Sequence, residues 1–176
     1  MDFASVLDRI AGFLAPRGAP WALVGGVGLA ALGIARTTLD LDLAVESAVQ
    51  EDLVAFMEQI GYETLHRSSG YSNHLHADPS LGRVDFVYLD AATADRLFAG
   101  CREAAGPRGR TLLVPRPEHL AAMKVLAMKN DPARAFQELA DIRALLALPG
   151  VDREEVRGYF ARHGLTERFD ELAATL

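Results

Sequence analysis

Cysteine is nearly absent: Cys101 is the only one in 176 residues, which excludes an internal disulfide and leaves no thiolate cluster for zinc. A lone cysteine in this setting reads as a small apolar residue in a reducing compartment. No run of 18 apolar residues occurs, so no membrane-spanning helix is expected. The start has no basic segment followed by an apolar one, because Asp2 and Asp8 flank a helical pattern instead. Internal repeats, low-complexity tracts and a linker long enough to part independent domains are missing too. Trp21, Tyr62, Tyr71 and Tyr88 are not interleaved with basic residues, which leaves no strip for stacking nucleic-acid bases. A soluble, cytoplasmic protein with no membrane partner is the expectation.

Half of the residues are apolar, enough for one substantial core. The formal net charge of −6 argues against a generic polyanion binder. The acidic excess sits in the first hundred residues, whereas 100–143 carries more Lys and Arg than Asp and Glu. A divalent-metal site opposite a phosphate-binding flank produces such an asymmetry, and so do ordinary solvated helix faces.

Apolar spacing predicts helices over 3–14, 27–34, 47–60 and 91–99, and strands over 21–24, 38–45, 62–66, 72–76, 83–89 and 111–114. Beyond Pro115 the pattern is helical throughout, over about 117–129, 133–147, 152–163 and 166–175, with breaks at Pro132 and Pro149-Gly150. The fold class that follows is α+β: a small mixed sheet with flanking helices over 1–115, then a helical part over 116–176 that packs on it and is not an independent domain.

The sharpest feature lies in the 38–45 strand. Side chains alternate along a strand, so Asp40 and Asp42 project from one face while Leu39, Leu41 and Leu43 fill the other. Two carboxylates this close repel each other and are costly to desolvate unless a cation joins them. Asp85, in mid-strand between Val84 and Phe86, supplies a third if its strand folds back beside the first. Three converging carboxylates suit Mg²⁺, an oxygen-seeking ion that keeps water and substrate phosphates as its other ligands. Two such ions clamp an in-line phosphoryl displacement. A wet edge strand is the plainer alternative.

With Leu23-Val24-Gly25-Gly26 ahead of a helix, then Asp40-Leu41-Asp42, then Asp85, the chain resembles the nucleotidyltransferase superfamily, whose catalytic palm is shared with polymerase β. The resemblance implies that the Gly25-Gly26 turn approaches the triphosphate of an NTP substrate, that Asp40 and Asp42 hold both Mg²⁺ ions, and that Asp85 binds the ion activating the acceptor hydroxyl. Residues 117–128 and 138–146 are similar to the lysine helix and aspartate helix of AbiEii-type abortive-infection toxins. That likeness implies that Lys124 contacts the triphosphate and Asp141 orients Lys124. It also implies a toxin role with a cognate antitoxin, and an acceptor at a tRNA 3′ end or a protein hydroxyl. The superfamily resemblance implies a small antibiotic as an alternative acceptor, because lincosamide and aminoglycoside nucleotidyltransferases share the strand motif. The group commonly has an arginine where Lys129 or Asn130 stands here.

Taken alone, Lys124 shares a helix face with Leu120 and Met128, and a structural salt bridge at a helix interface, or a stem that snorkels past the core, explains it equally well. Arg36, ahead of Thr37-Thr38, is placed to fork onto phosphate oxygens. His74 and His76 share one face of their strand, expected to be an open sheet face, with a second metal site as the alternative. Two other function classes compete. Gly26-Val27-Gly28-Leu29-Ala30-Ala31 fits a relaxed dinucleotide-binding turn with Glu46 about 20 residues on, which would make an NAD-binding Rossmann-like module. A catalytically inactive nucleotidyltransferase-fold partner protein is the other.

Overall fold

The rhythm of Val6, Leu7, Ile10, Ala11 and Leu14 becomes the buried face of the first helix, α1 (Phe3–Leu14). Asp2 caps it, its carboxylate accepting from the Ser5 N–H at 3.0 Å. The computed structural model describes residues 2–176. After α1 come β1 (Trp21–Leu23), α2 (Gly25–Ala31), β2 (Asp40–Glu46), α3 (Gln50–Gln59), β3 (Tyr62–Arg67), β4 (Tyr71–His76), β5 (Arg83–Leu89), α4 (Ala91–Ala99), β6 (Arg102–Ala105) and β7 (Thr111–Val114). Four helices complete the chain: α5 (Pro117–Asn130), α6 (Ala135–Leu146), α7 (Arg153–Arg162) and α8 (Thr166–Ala173). The fold is α+β.

Two compact units form, residues 2–31 with 35–115, and residues 32–34 with 116–176. In the first, five strands pair in the order β1-β2-β5-β4-β3. Only β2 and β5 run parallel; the other neighbours are antiparallel. A doubly wound dinucleotide fold needs a mostly parallel sheet, so the NAD-binding alternative fails on topology. Leu41, Leu43 and Val45 lie beside Val84, Phe86 and Tyr88 in the parallel register, all buried on one face. Each such side chain contributes about 1.5–3 kcal/mol on burial, which pins the register and turns the alternate residues, the aspartates among them, to the opposite face.

Three local expectations are corrected. α2 starts at Gly25, ahead of the expected 27, because the Gly28 N–H reaches back to the Val24 carbonyl at 2.9 Å. It stops at Ala31, with Gly33 in the left-handed region. β6 escapes the sequence reading because Arg102-Glu103-Ala104-Ala105 contains no β-branched or aromatic residue; pairing with β7 in a two-stranded ribbon creates it. Leu39 does not fill the buried face: it precedes β2 and is 83% exposed.

In the second unit, Leu120, Ala121, Val125 and Met128 of α5 are buried, as are Ile142 and Leu145 of α6 and Val156 and Phe160 of α7. Phe160 meets Phe169 of α8 edge to face at 5.4 Å. Among the described residues no helix is long and apolar enough to cross a membrane.

Candidate active site

The parallel register of β2 and β5 sets Asp42 directly beside Asp85, and Asp40 beside Arg83. Asp40, Asp42 and Asp85 each offer a carboxylate oxygen, and these three atoms lie within 4.8 Å of one another. Two oxygens on one Mg²⁺, each at about 2.1 Å, stand at most about 4.2 Å apart. Adjacent ligands on an octahedral ion stand only about 3 Å apart, so side-chain movements of about 1–2 Å are needed to bring all three onto one ion. The donors are hard oxygens, with neither thiolate nor imidazole in the group, which suits Mg²⁺ over zinc.

Each carboxylate is held by its surroundings. The Thr38 hydroxyl donates to Asp40 Oδ1. Asp42 stands under the glycine turn: a Cβ on Gly25 would fall 1.9 Å from Asp42 Oδ2, and Gly25 has φ +57°. A Cβ on Gly26 would meet Thr38 Cβ at 2.6 Å. Both glycines are thus demanded by the close passage of backbone over Asp42 and Thr38. The Val24 N–H donates to the Asp42 carbonyl at 3.0 Å, which ties the turn to the strand.

Asp85 is buried and densely bonded. Arg83 forks onto it, Nε to Oδ1 at 3.0 Å and Nη2 to Oδ2 at 3.1 Å. The Asn73 amide donates to Oδ1 and the Tyr71 hydroxyl to Oδ2. Burial, reinforced by the Asp85 contact, pushes the Tyr71 phenol up to about 12. The hydrogen bond to Asp85 likewise raises Arg83 above its ordinary value. Sequence reading overlooked Tyr71, Asn73 and Arg83 as neighbours of the site. Period-two spacing puts Arg83 on the Asp85 face, but the β4–β5 register that opposes Asn73 to Asp85 is a tertiary fact.

The same register corrects the histidines. His74 opposes Val84 and Ser72 opposes Phe86, so the face that His74 and His76 share is the core face. His74 is fully buried. Its Nδ1 lies 3.2 Å from Thr64 Oγ1 and its Nε2 2.8 Å from Ser72 Oγ, and Ser72 Oγ lies 2.7 Å from the Tyr88 hydroxyl. His76 Nδ1 accepts from the Asp78 N–H at 2.9 Å. Both rings have structural partners. Arg36 donates to the Thr37 carbonyl at 2.8 Å and, with Thr37 and Thr38, borders a mainly apolar cavity of about 320 Å³ whose lining includes none of the three aspartates.

In the second unit, Lys124 donates to Glu138 Oε2 at 3.0 Å and to Asp141 Oδ2 at 2.6 Å. Arg134 reaches Glu138 Oε1 at 2.6 Å. Glu138 is the member that sequence reading missed, although it lies three residues before Asp141 on one helix face.

No family model matches the sequence, and no curated protein matches it. Solved structures do. Antibiotic-resistance factor ANT(2'')-Ia superposes with a TM-score of 0.68 over 99% of this chain and 98% of its own, at 20% identity. The lincomycin-bound lincosamide antibiotic adenylyltransferase LnuA gives 0.53 over 81% and 96%, at 17% identity. An antigenic nucleotidyltransferase-like protein from Paracoccidioides brasiliensis gives 0.57 over 98% and 91%, at 16% identity. The chain has the nucleotidyltransferase fold. That likeness is to the fold as a whole and does not single out the AbiEii group. Within the nucleotidyltransferase fold of this chain, the aspartate cluster is built entirely from β2 and β5 of the first unit.

Proposed function

We propose that this chain is a Mg²⁺-dependent nucleotidyltransferase that moves a nucleoside monophosphate from an NTP to an acceptor hydroxyl and releases pyrophosphate. The observation that carries the reading is the meeting of Asp40, Asp42 and Asp85 on one sheet face. Metal bound there supplies Lewis-acid activation of the attacking hydroxyl and charge neutralisation on the leaving side. The protein's part is positioning. Thr38 steadies Asp40, the Gly25 turn confines Asp42, and Asn73 and Tyr71 fix Asp85. Such supports keep ligand carboxylates in a productive arrangement before substrate arrives. Even with Arg83 the group is net negative, which favours a dication. In the second unit we assign Lys124 as the cation for nucleotide phosphate, held by Asp141 and Glu138, and in the first we assign Arg36 as an auxiliary phosphate contact.

For the acceptor, a small hydroxyl-bearing molecule is favoured by the end-to-end likeness to ANT(2'')-Ia and by LnuA, a lincosamide adenylyltransferase. The abortive-infection toxin reading, with tRNA or protein as acceptor and an antitoxin partner, rests on residues 117–128 and 138–146 alone.

The test is incubation with each α-³²P-labelled NTP, Mg²⁺, total RNA and cell lysate, followed by separation of RNA, protein and small molecules. Label is expected in one fraction with wild type and in none with Asp42→Asn, at unchanged circular dichroism. Undiminished transfer by Asp42→Asn removes the mechanism.

A further inference from the structure

We infer that Arg83 is a built-in competitor for the divalent cation at Asp85, so that the strength of its fork on that carboxylate sets how tightly the site takes metal. The inference rests on the reading of the aspartate group as a metal site.

An ionised carboxylate has about four lone-pair positions. Asp85 has four donor contacts: two from Arg83, one from Asn73 and one from Tyr71. A cation that ligates Asp85 must take one of these positions. Asn73 is buried on the neighbouring strand, so withdrawing its amide leaves a polar group without water, and Tyr71 beside it is half-buried and uncharged. Arg83 differs. Its side chain is 45% exposed, against 6% for Asp85, and a guanidinium that swings outward is rehydrated at once. Arg83 is also the only donor of the set with a full positive charge, so its departure relieves repulsion with the incoming ion. It stands beside Asp40 in the strand register, on the face of all three aspartates, where its charge bears on the whole site.

Removing Arg83 therefore frees two lone pairs of Asp85 and deletes an adjacent positive charge. Both changes tighten metal binding, by about tenfold, on the scale of one charge-assisted hydrogen bond. Arg83→Lys keeps the charge and loses the bidentate fork, and lies between wild type and Arg83→Met.

The measurement is a Mn²⁺ titration of the full chain without nucleotide, with free Mn²⁺ read by electron paramagnetic resonance at fixed ionic strength. Wild type, Arg83→Met, Arg83→Lys, Asp85→Asn and the Arg83→Met/Asp85→Asn pair are compared. Expected are tighter binding in Arg83→Met by about tenfold, an intermediate value in Arg83→Lys, and loss of most of the residue-83 effect when Asp85 is Asn. Mn²⁺ binding that is unchanged or weaker in both Arg83 variants, with denaturation midpoints at the wild-type value, overturns this inference alone. Absence of Mn²⁺ binding in every protein overturns it together with the metal reading on which it rests.

Discussion

Gly25 is the residue on which the site's geometry turns, since any side chain there occupies the space of the Asp42 carboxylate. Gly25→Ala adds steric overlap to a left-handed backbone, a combination costing about 1–3 kcal/mol. The expected outcome is a lowered urea midpoint together with weaker Mn²⁺ binding, because Asp42 has to move. Lys124 makes a different case. It lies among Glu138, Asp141 and Arg134, with Glu138 1% exposed. Truncating one partner of a buried ion cluster leaves an uncompensated charge, at about 3–5 kcal/mol. Lys124→Met should lose stability on that scale in equilibrium denaturation, and a loss under about 1 kcal/mol would mean that the cluster is solvated.

At the scale of elements, β4 separates two chemistries by alternation. Tyr71 and Asn73 serve the aspartate face, while Ser72 and His74 form a buried polar chain with Thr64 and Tyr88 on the core face. Burial pushes His74 below its ordinary 6.5; Asp85 and Glu58 pull it back less strongly. As pH falls, the unfolded chain takes up this proton before the folded one. The stability tied to neutral His74 is complete above about 6.5 and is lost on acidification below it. Unfolding free energy should therefore drop between about pH 7 and pH 5, with a shallower drop in His74→Gln; equal slopes would contradict this. The sequence showed that His74 and His76 share a face, because parity is local, but not which face, because that depends on the partner strand. Asp40, Asp42 and Asp85 were legible for the converse reason: a carboxylate among β-formers stands out against its own neighbours. β6 was not legible, since Arg102-Glu103-Ala104-Ala105 has no intrinsic strand signal and owes its form to β7.

At the scale of the whole molecule, the α+β class, the mixed sheet and the helical segments followed from hydrophobic period and turn residues, while strand order required coordinates. Order matters because only the parallel β2–β5 pair brings residues 43 positions apart in sequence side by side. On the proposed function these two strands together form a divalent-metal site. Anomalous diffraction from crystals soaked in Mn²⁺ addresses it most directly. A peak is expected at coordination distance from Asp40, Asp42 and Asp85, and it vanishes in Asp42→Asn. A peak elsewhere, or none beside these three carboxylates, would contradict that reading.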